Sequence, residues 1–172
     1  MAGGKHSYFG KYRGTVENNI DPQGLGRVQV SVPDVLGDVT LAWAMPCSPY
    51  AGDGVGFFAV PPTGASVWIE FERGDPDYPI LAGCFWGMGE PPTPPGPLGI
   101  TKTVLKTDKF TLEADSNPAL PMLTIEIALG GAAGTASIKA DATGLTLSCA
   151  GNTIAMTPTG VAINNTNLVV MK

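Results

Sequence analysis

Along the last third of the chain, apolar and polar residues alternate, and the alternation is repeated. Residues 136–148 lie over residues 152–164 without a gap, sixteen positions apart. In the first copy the apolar positions are Ile138 and Ala140, then Leu145 and Leu147; in the second they are Ile154 and Met156, then Val161 and Ile163. A period of two belongs to strands with one buried face, so each copy predicts strand, turn, strand, with Thr-Gly at the same place in both turns. Repetition at a fixed period predicts an array in which each unit covers the apolar face of the next. The strands are short and small residues such as Ala132, Ala133, Gly134 and Ala136 dominate, so one chain has little with which to offset the entropy of ordering this backbone. Two arrangements answer that deficit: the segment packs on the rest of its own chain, or it intertwines with copies of itself. The intertwined homo-oligomer is favoured; an ordinary antiparallel meander is the alternative.

The same reading upstream predicts strands at Tyr8–Asn18, Gly26–Val32, Leu41–Met45, Phe57–Val60, Ser66–Phe71 and Ile80–Phe85. Turn signals separate them at Asp21-Pro22-Gln23-Gly24, Pro33-Asp34, Gly52-Asp53-Gly54, Pro61-Pro62-Thr63-Gly64 and Gly74-Asp75-Pro76-Asp77. Five or six short strands with no helix-period stretch suggest a small closed β-barrel, with a small sandwich as the alternative. The run from Glu90 to Pro97 is proline-rich; it cannot join a sheet ladder and favours a stiff extended spacer. Beyond it, Lys102–Ala114 and Met122–Leu129 are further strand candidates, and Leu168–Met171 carries the apolar pattern almost to the last residue. The expected organisation is therefore a tail at residues 1–7, a barrel at 8–89, a linker at 90–104 and a β-repeat segment at 105–172.

Composition narrows the function classes. The chain has 172 residues, 23 Gly and 16 Pro, in keeping with an all-β protein rich in turns. A net charge of −5 with scattered basic residues argues against nucleic acid, whose phosphates require clustered Lys and Arg. Cys47, Cys84 and Cys149 are odd in number and widely spaced, which suggests neither disulfides nor zinc; they are expected to be small buried apolar residues. No segment has the length of a membrane span, and the N-terminus does not read as a signal peptide, so synthesis in the cytoplasm is expected.

Candidate chemistry is sparse. Gly52, Gly54 and Gly56 form a glycine-rich loop, but without a following helix or Lys they lack the context of a phosphate cradle. Trp43, Trp68, Phe71, Phe85 and Trp86 could stack bases, although filling the barrel or its subunit contacts is the better reading for an acidic chain. Glu70, Glu72, Asp75 and Asp77 are the only dense carboxylates; they fall on a strand end and a turn, with no cleft-forming segment expected beside them. His6, the sole histidine, lies in a glycine-rich tail and cannot serve a fixed nucleophile. No enzyme activity, catalytic residue, cofactor or metal is expected.

Five phrases in the barrel region occur together and in order: Gly26–Pro33, Ala42–Pro46, Ala51–Pro61, Gly64–Pro79 and Ala82–Trp86. Together they resemble the OB-fold domain of central spike proteins from contractile injection machines, both the phage baseplate spike and the valine-glycine repeat spike of type VI secretion. The C-terminal repeats resemble the trimeric β-helix needle of the same family. The resemblance implies an all-β chain: an N-terminal OB-fold barrel followed by a C-terminal intertwined triple-stranded β-helix. It implies a homotrimer that docks on a hub or tail-tube protein and pierces the target cell envelope, touching the target membrane only transiently. On this reading the trimer core would comprise Ile138, Leu145, Leu147, Ile154, Met156, Val161 and Ile163. Leu168, Val169, Val170, Met171 and Lys172 would form the tip, which either is capped by a separate protein of the PAAR-repeat kind, the favoured arrangement, or closes on itself. The location implied is a virion tail, baseplate or injection particle. Departures from the family are informative as well. A proline-rich spacer stands where some phage spikes carry a lysozyme domain, the histidine pattern that holds iron in some needles is missing, and about seven residues precede Tyr8, which implies a separate hub. The short length favours a phage or phage-tail-like particle over type VI. An OB-fold binding module for glycan or single-stranded nucleic acid is the competing reading.

Overall fold

A computed structural model describes residues 6–37, 41–93, 99–164 and 168–171. The chain divides into two compact units, Met1–Met88 and Gly89–Lys172. Residues 94–98, within the proline-rich spacer, and residues 1–5 of the tail lie outside the described residues.

The first unit is a closed barrel. Its strands are β1 (Tyr12–Asn18), β2 (Val28–Ser31), β3 (Leu41–Pro46), β6 (Ser66–Phe71) and β7 (Pro79–Cys84), with the two-residue strands β4 (Ala51–Gly52) and β5 (Val55–Gly56) forming a separate small hairpin. Around the barrel the order is β1-β2-β3-β7-β6, and β6 returns to β1. All neighbours are antiparallel except β3 and β7, which pair in parallel through Met45 with Ile80 and Pro46 with Leu81. Alternation decides which way each side chain points: along β6, Val67, Ile69 and Phe71 are buried while Ser66, Trp68 and Glu70 lie on the outer side. The core consists of Val16, Val28, Val30, Val32, Ala44, Val67, Ile69, Phe71 and Leu81. Most of these are β-branched, a shape that suits a pleated surface.

Several expectations shift here. The turn signal at Pro33-Asp34 becomes a four-residue helix, α1 (Pro33–Leu36), with proline in its first turn and Val35 and Leu36 against the core. Phe57–Val60 is not a strand; the short β4–β5 hairpin precedes it, because the glycines between residues 52 and 56 favour a tight reversal. The β1–β2 loop is shaped by Asp21, whose carboxylate accepts N–H bonds from Gln23, Leu25 and Arg27 and a 2.7 Å bond from the Arg27 guanidinium.

The second unit is one sheet of eight antiparallel strands, each bonded to its neighbour in sequence. These are β8 (Lys102–Lys106), β9 (Phe110–Asp115), β10 (Met122–Ala128), β11 (Thr135–Asp141), β12 (Gly144–Cys149), β13 (Asn152–Thr157), β14 (Gly160–Ile163) and β15 (Leu168–Met171). The expected single strand at Lys102–Ala114 is thus two, because the chain reverses at Thr107, whose hydroxyl accepts the Phe110 N–H. The first repeat copy becomes β11 and β12, and the second becomes β13 and β14. Two-residue loops join them at Ala142-Thr143, Ala150-Gly151 and Pro158-Thr159. Within one chain this is the meander; a triple-stranded β-helix is a trimer-level arrangement that a single chain does not display.

Candidate assembly interface

Register places the apolar residues of the second unit in rows that cross the whole sheet. Residues directly opposite in an antiparallel pair share a face. One row therefore runs Leu105, Leu112, Ile125, Ile138, Leu147, Ile154, Ile163 and Leu168, one residue from each of the eight strands. Two residues along, a second row on the same face runs Ala114, Leu123, Ala140, Leu145, Met156, Val161 and Val170. All seven residues expected to form a trimer core, Ile138, Leu145, Leu147, Ile154, Met156, Val161 and Ile163, stand in these two rows. The rows also extend upstream to Leu105, Leu112, Leu123 and Ile125, which the repeat alone did not mark. Alternation in Phe110–Asp115 and Met122–Ala128 carries that signal.

Nothing within the described residues of this unit covers the face, and none of them is buried. Ile138 remains 42% exposed, Leu168 54% and Val170 60%. Of the expected tip residues, Leu168 and Val170 are exposed, Val169 and Met171 belong to β15, and Lys172 lies outside the described residues.

The opposite face is mostly polar, and several of its groups pair with one another, although the buried Thr124 hydroxyl has no hydrogen-bond partner among the described residues. Ser137 and Ser148 share a 2.8 Å hydroxyl bond across β11 and β12. Lys102 bonds Glu113 and lies 4.0 Å from Asp115; the Glu113 bond first, with the nearby carboxylate charge, raises the Lys102 pKa. Asp115 is lowered by the Thr101 hydroxyl, the Asn117 N–H and the Lys102 charge. Asp141 accepts the Thr143 hydroxyl at 2.5 Å and the Thr143 N–H at 2.8 Å, and Lys139 lies 3.0 Å away. These contacts, led by the Thr143 hydroxyl, hold its carboxyl well below the usual carboxylate range. Thr157, sixteen residues on, occupies the same turn position and accepts the Thr159 N–H, so the repeat extends to its turn chemistry. The sheet thus has one wet face and one apolar face.

Gly144, in the first copy of the repeat, serves close backbone approach. At Gly144, φ is +141°, and a Cβ there would stand 2.0 Å from the Met156 carbonyl oxygen. No side chain fits without moving β13.

The barrel aromatics do not assemble into a stacking platform. The Arg13 guanidinium lies 5.1 Å from the Trp68 ring and 4.8 Å from the Phe85 ring, and those two rings are 4.7 Å apart. Arg27 lies over Trp43 at 5.3 Å. Phe71 is buried among Tyr8 and Tyr12, and Trp86 is exposed at the end of the barrel sequence. The carboxylates also separate: Glu70 pairs with Lys11 at 2.5 Å on the outer barrel wall, while Glu72 and Asp75 border a depression of about 370 Å³ with His6, Arg73 and Tyr78. The expectation that no cleft accompanies these acids is therefore corrected, since residues 6 and 7 fold back beside Gly74 and supply a wall. Among the described residues, no group of three or more His, Cys, Asp or Glu is placed to hold a metal ion. All three cysteines are exposed, contrary to expectation, because Cys47 and Cys84 follow or end barrel strands and Cys149 ends β12. Partial burial still raises the Cys84 thiol pKa.

Comparison with known proteins meets this geometry at both units. The model of the type VI secretion system/phage-baseplate injector OB domain matches residues 12–86, and that of the phage baseplate V C-terminal trimerisation domain matches residues 102–169. The chain belongs to the baseplate-spike family of phage tails and type VI secretion. Among its relatives, the type VI secretion system spike protein VgrG4b of Pseudomonas aeruginosa is 33% identical over 70 residues, 41% of this chain and 9% of that protein. The actin cross-linking toxin VgrG1 of Vibrio cholerae is 34% identical over 87 residues, 48% of this chain and 8% of the toxin. The spike protein VgrG5 of Pseudomonas aeruginosa is 35% identical over 89 residues, 49% and 11% of the two chains. The chain thus spans about a tenth of the length of the curated relatives it matches. The trimerisation-domain match covers the strands that carry the uncovered apolar face. Among the described residues, no helix is long and apolar enough to cross a membrane.

Proposed function

We propose that three copies of this chain form the central spike of a contractile tail or injection particle, a structural part that carries no enzymatic activity of its own. The observation that carries the proposal is the second unit's sheet, apolar on one face across all eight strands and without a buried residue among those described. Three such sheets, apolar faces inward, would close a needle in the manner of a trimeric β-helix, with Ile138, Leu145, Leu147, Ile154, Met156, Val161 and Ile163 in its core. Burying the half-exposed remainder of a Leu or Ile is worth about 1 kcal/mol, so a face of this kind contributes enough to offset a substantial part of the cost of association. The mechanism is mechanical: force applied along the particle reaches a needle whose sheet faces are packed against one another, rather than a single sheet that water can invade.

On this reading the barrels dock on a hub or tail-tube protein, and residues 168–172 meet a separate tip protein of the PAAR-repeat kind. The needle touches the target membrane only in passing. Organisation into a tail at 1–7, a barrel at 8–89, a linker at 90–104 and a needle at 105–172 belongs to the same proposal. Assembly would take place in the bacterial cytoplasm. Glycan or nucleic-acid binding by the barrel is disfavoured, since Arg13 and Arg27 occupy the faces of Trp68, Phe85 and Trp43.

A particle-producing strain that lacks this chain tests the proposal. Wild-type chain supplied in trans should be recovered in purified particles and restore injection, whereas Ile154→Glu should be absent from them. Normal particles that inject without the chain would overturn the reading.

A further inference from the structure

The barrel holds two arginines over aromatic rings, and they differ in what else they touch. Arg27, beside Trp43, is satisfied within the chain: its guanidinium bonds Asp21 at 2.7 Å, and the two side chains are only 15% and 4% exposed. Arg13 stands on the outer face of β1, exposed to water and directly opposite Trp68 of β6. Its guanidinium is braced by the Trp68 and Phe85 rings, and Phe85 is itself fixed by its N–H bond to the Ser66 carbonyl at 3.1 Å. Yet among the described residues no carboxylate pairs with Arg13. Glu70, two residues beyond Trp68 on the same face of β6, is bonded to Lys11 instead. On its other side Trp68 pairs with Gly83 of β7, where a Cβ would meet nothing within 4 Å, so the wall beside the stack is open.

We propose that Arg13, braced on Trp68 and Phe85, is the anchor by which the barrel takes hold of an acidic side chain on the protein it docks against. The proposal rests on the reading of the barrel as a docking unit and names the chemistry of that contact. A guanidinium held against rings by its faces keeps its N–H donors, which lie in its plane, for a planar acceptor such as a carboxylate. The rings already restrict its rotamers, so little further freedom is lost when the acceptor arrives. The pairing that Asp21 supplies to Arg27 within the chain is the one Arg13 lacks, and a partner's carboxylate completes it with charge-assisted bonds. A nucleic-acid backbone fits less well. A polyanion needs a row of cations, whereas here Lys11 is engaged by Glu70 and the chain carries a net charge of −5. Arginine and tryptophan are also the residue types that anchor the centres of protein interfaces.

The test uses purified particles assembled with the full-length Arg13→Lys chain and treated with a water-soluble carbodiimide. The reagent activates a carboxylate as an O-acylisourea; the introduced amine attacks its carbonyl carbon, an amide forms, and the urea leaves with the former carboxylate oxygen. A guanidinium does not react in this way, so wild-type particles are the blank. Mass spectrometry of the digest should show residue 13 joined to an Asp or Glu of a different particle protein. Particles that contain the variant with no link at residue 13, or with links only to another copy of this chain, would overturn the proposal. Arg13→Glu gives a second readout. It should sediment as the wild type does and be recovered in particles at least about tenfold less. Lys109→Glu, the same charge change in the exposed loop between β8 and β9, should be recovered normally. Recovery of Arg13→Glu at the wild-type level would overturn this contact and leave the spike reading intact. Absence of the wild-type chain from the particles would overturn the spike reading and this contact with it.

Discussion

Ile154 shows what one residue decides in this chain. It pairs with Leu147 on one side and Ile163 on the other, in the middle of the longest apolar row, yet in a single chain it is 39% exposed. A carboxylate there costs a lone chain little, because water reaches it, and would be prohibitive between three packed sheets. Ile154→Glu should therefore leave the barrel folded, as judged by near-ultraviolet circular dichroism, and abolish the trimer. Ala150 makes the opposite case. It holds φ +50° in the two-residue β12–β13 loop, with Gly151 at +83°, a pair of values that suits Asn-Gly rather than Ala-Gly. Ala150→Asn should stabilise the hairpin by about 0.5–1 kcal/mol, seen as a raised midpoint in thermal unfolding of the assembled protein. Gly144→Val should weaken assembly too, since its side chain would displace the β13 backbone at Met156. That loss is predicted for assembly, with the core of Val16, Val28, Val67 and Ile69 unaffected.

At the scale of the element, strands whose two faces differ were legible in the sequence, and segments shaped by loop geometry were not. Ser66–Phe71 matches β6 because Val67, Ile69 and Phe71 alternate against polar neighbours, and Met122–Leu129 overlaps β10 for the same reason. Phe57–Val60 misled because its side chains are apolar without alternation; they line an open groove beside the β4–β5 hairpin rather than pair in a ladder. Lys102–Ala114 concealed a reversal because Thr107 closes the turn with its own hydroxyl, with neither Gly nor Pro to signal it. The cysteines were placed inside on residue type alone, whereas strand ends put them outside. The apolar face was half legible: the repeat marked four strands, alternation in Phe110–Asp115 and Met122–Ala128 pointed to two more, and the register joins β8, β9 and β10 to the same row. The β1–β2 loop yields a prediction at this scale. The Arg27 guanidinium first, then the N–H groups of Gln23, Leu25 and Arg27, hold the Asp21 carboxyl well below the usual range. A carboxyl lowered by folding contributes stability that is fully present above its unfolded pKa near 4 and is lost as pH falls toward the folded value. The thermal midpoint of the barrel should therefore fall between about pH 4 and pH 2. Asp21→Asn should lower the midpoint at pH 7 and converge on wild type in acid.

At the scale of the whole molecule, the two units differ in what a single chain can accomplish. The first has a closed ladder and, among the described residues, a hydrophobic core of nine buried side chains, so it has a core of its own in one copy. The second spreads its apolar side chains in a plane and, among the described residues, buries none. On the proposed reading its stability belongs to the assembly, in keeping with the trimerisation-domain match to these residues. Sedimentation equilibrium of the full-length protein at micromolar concentration, in high salt and without partners, tests this most directly. The account predicts a single species at three times the 17.7 kDa of the chain, reduced to one chain mass by Ile154→Glu. A folded wild-type monomer under those conditions, with the second unit protected from hydrogen exchange, would contradict it.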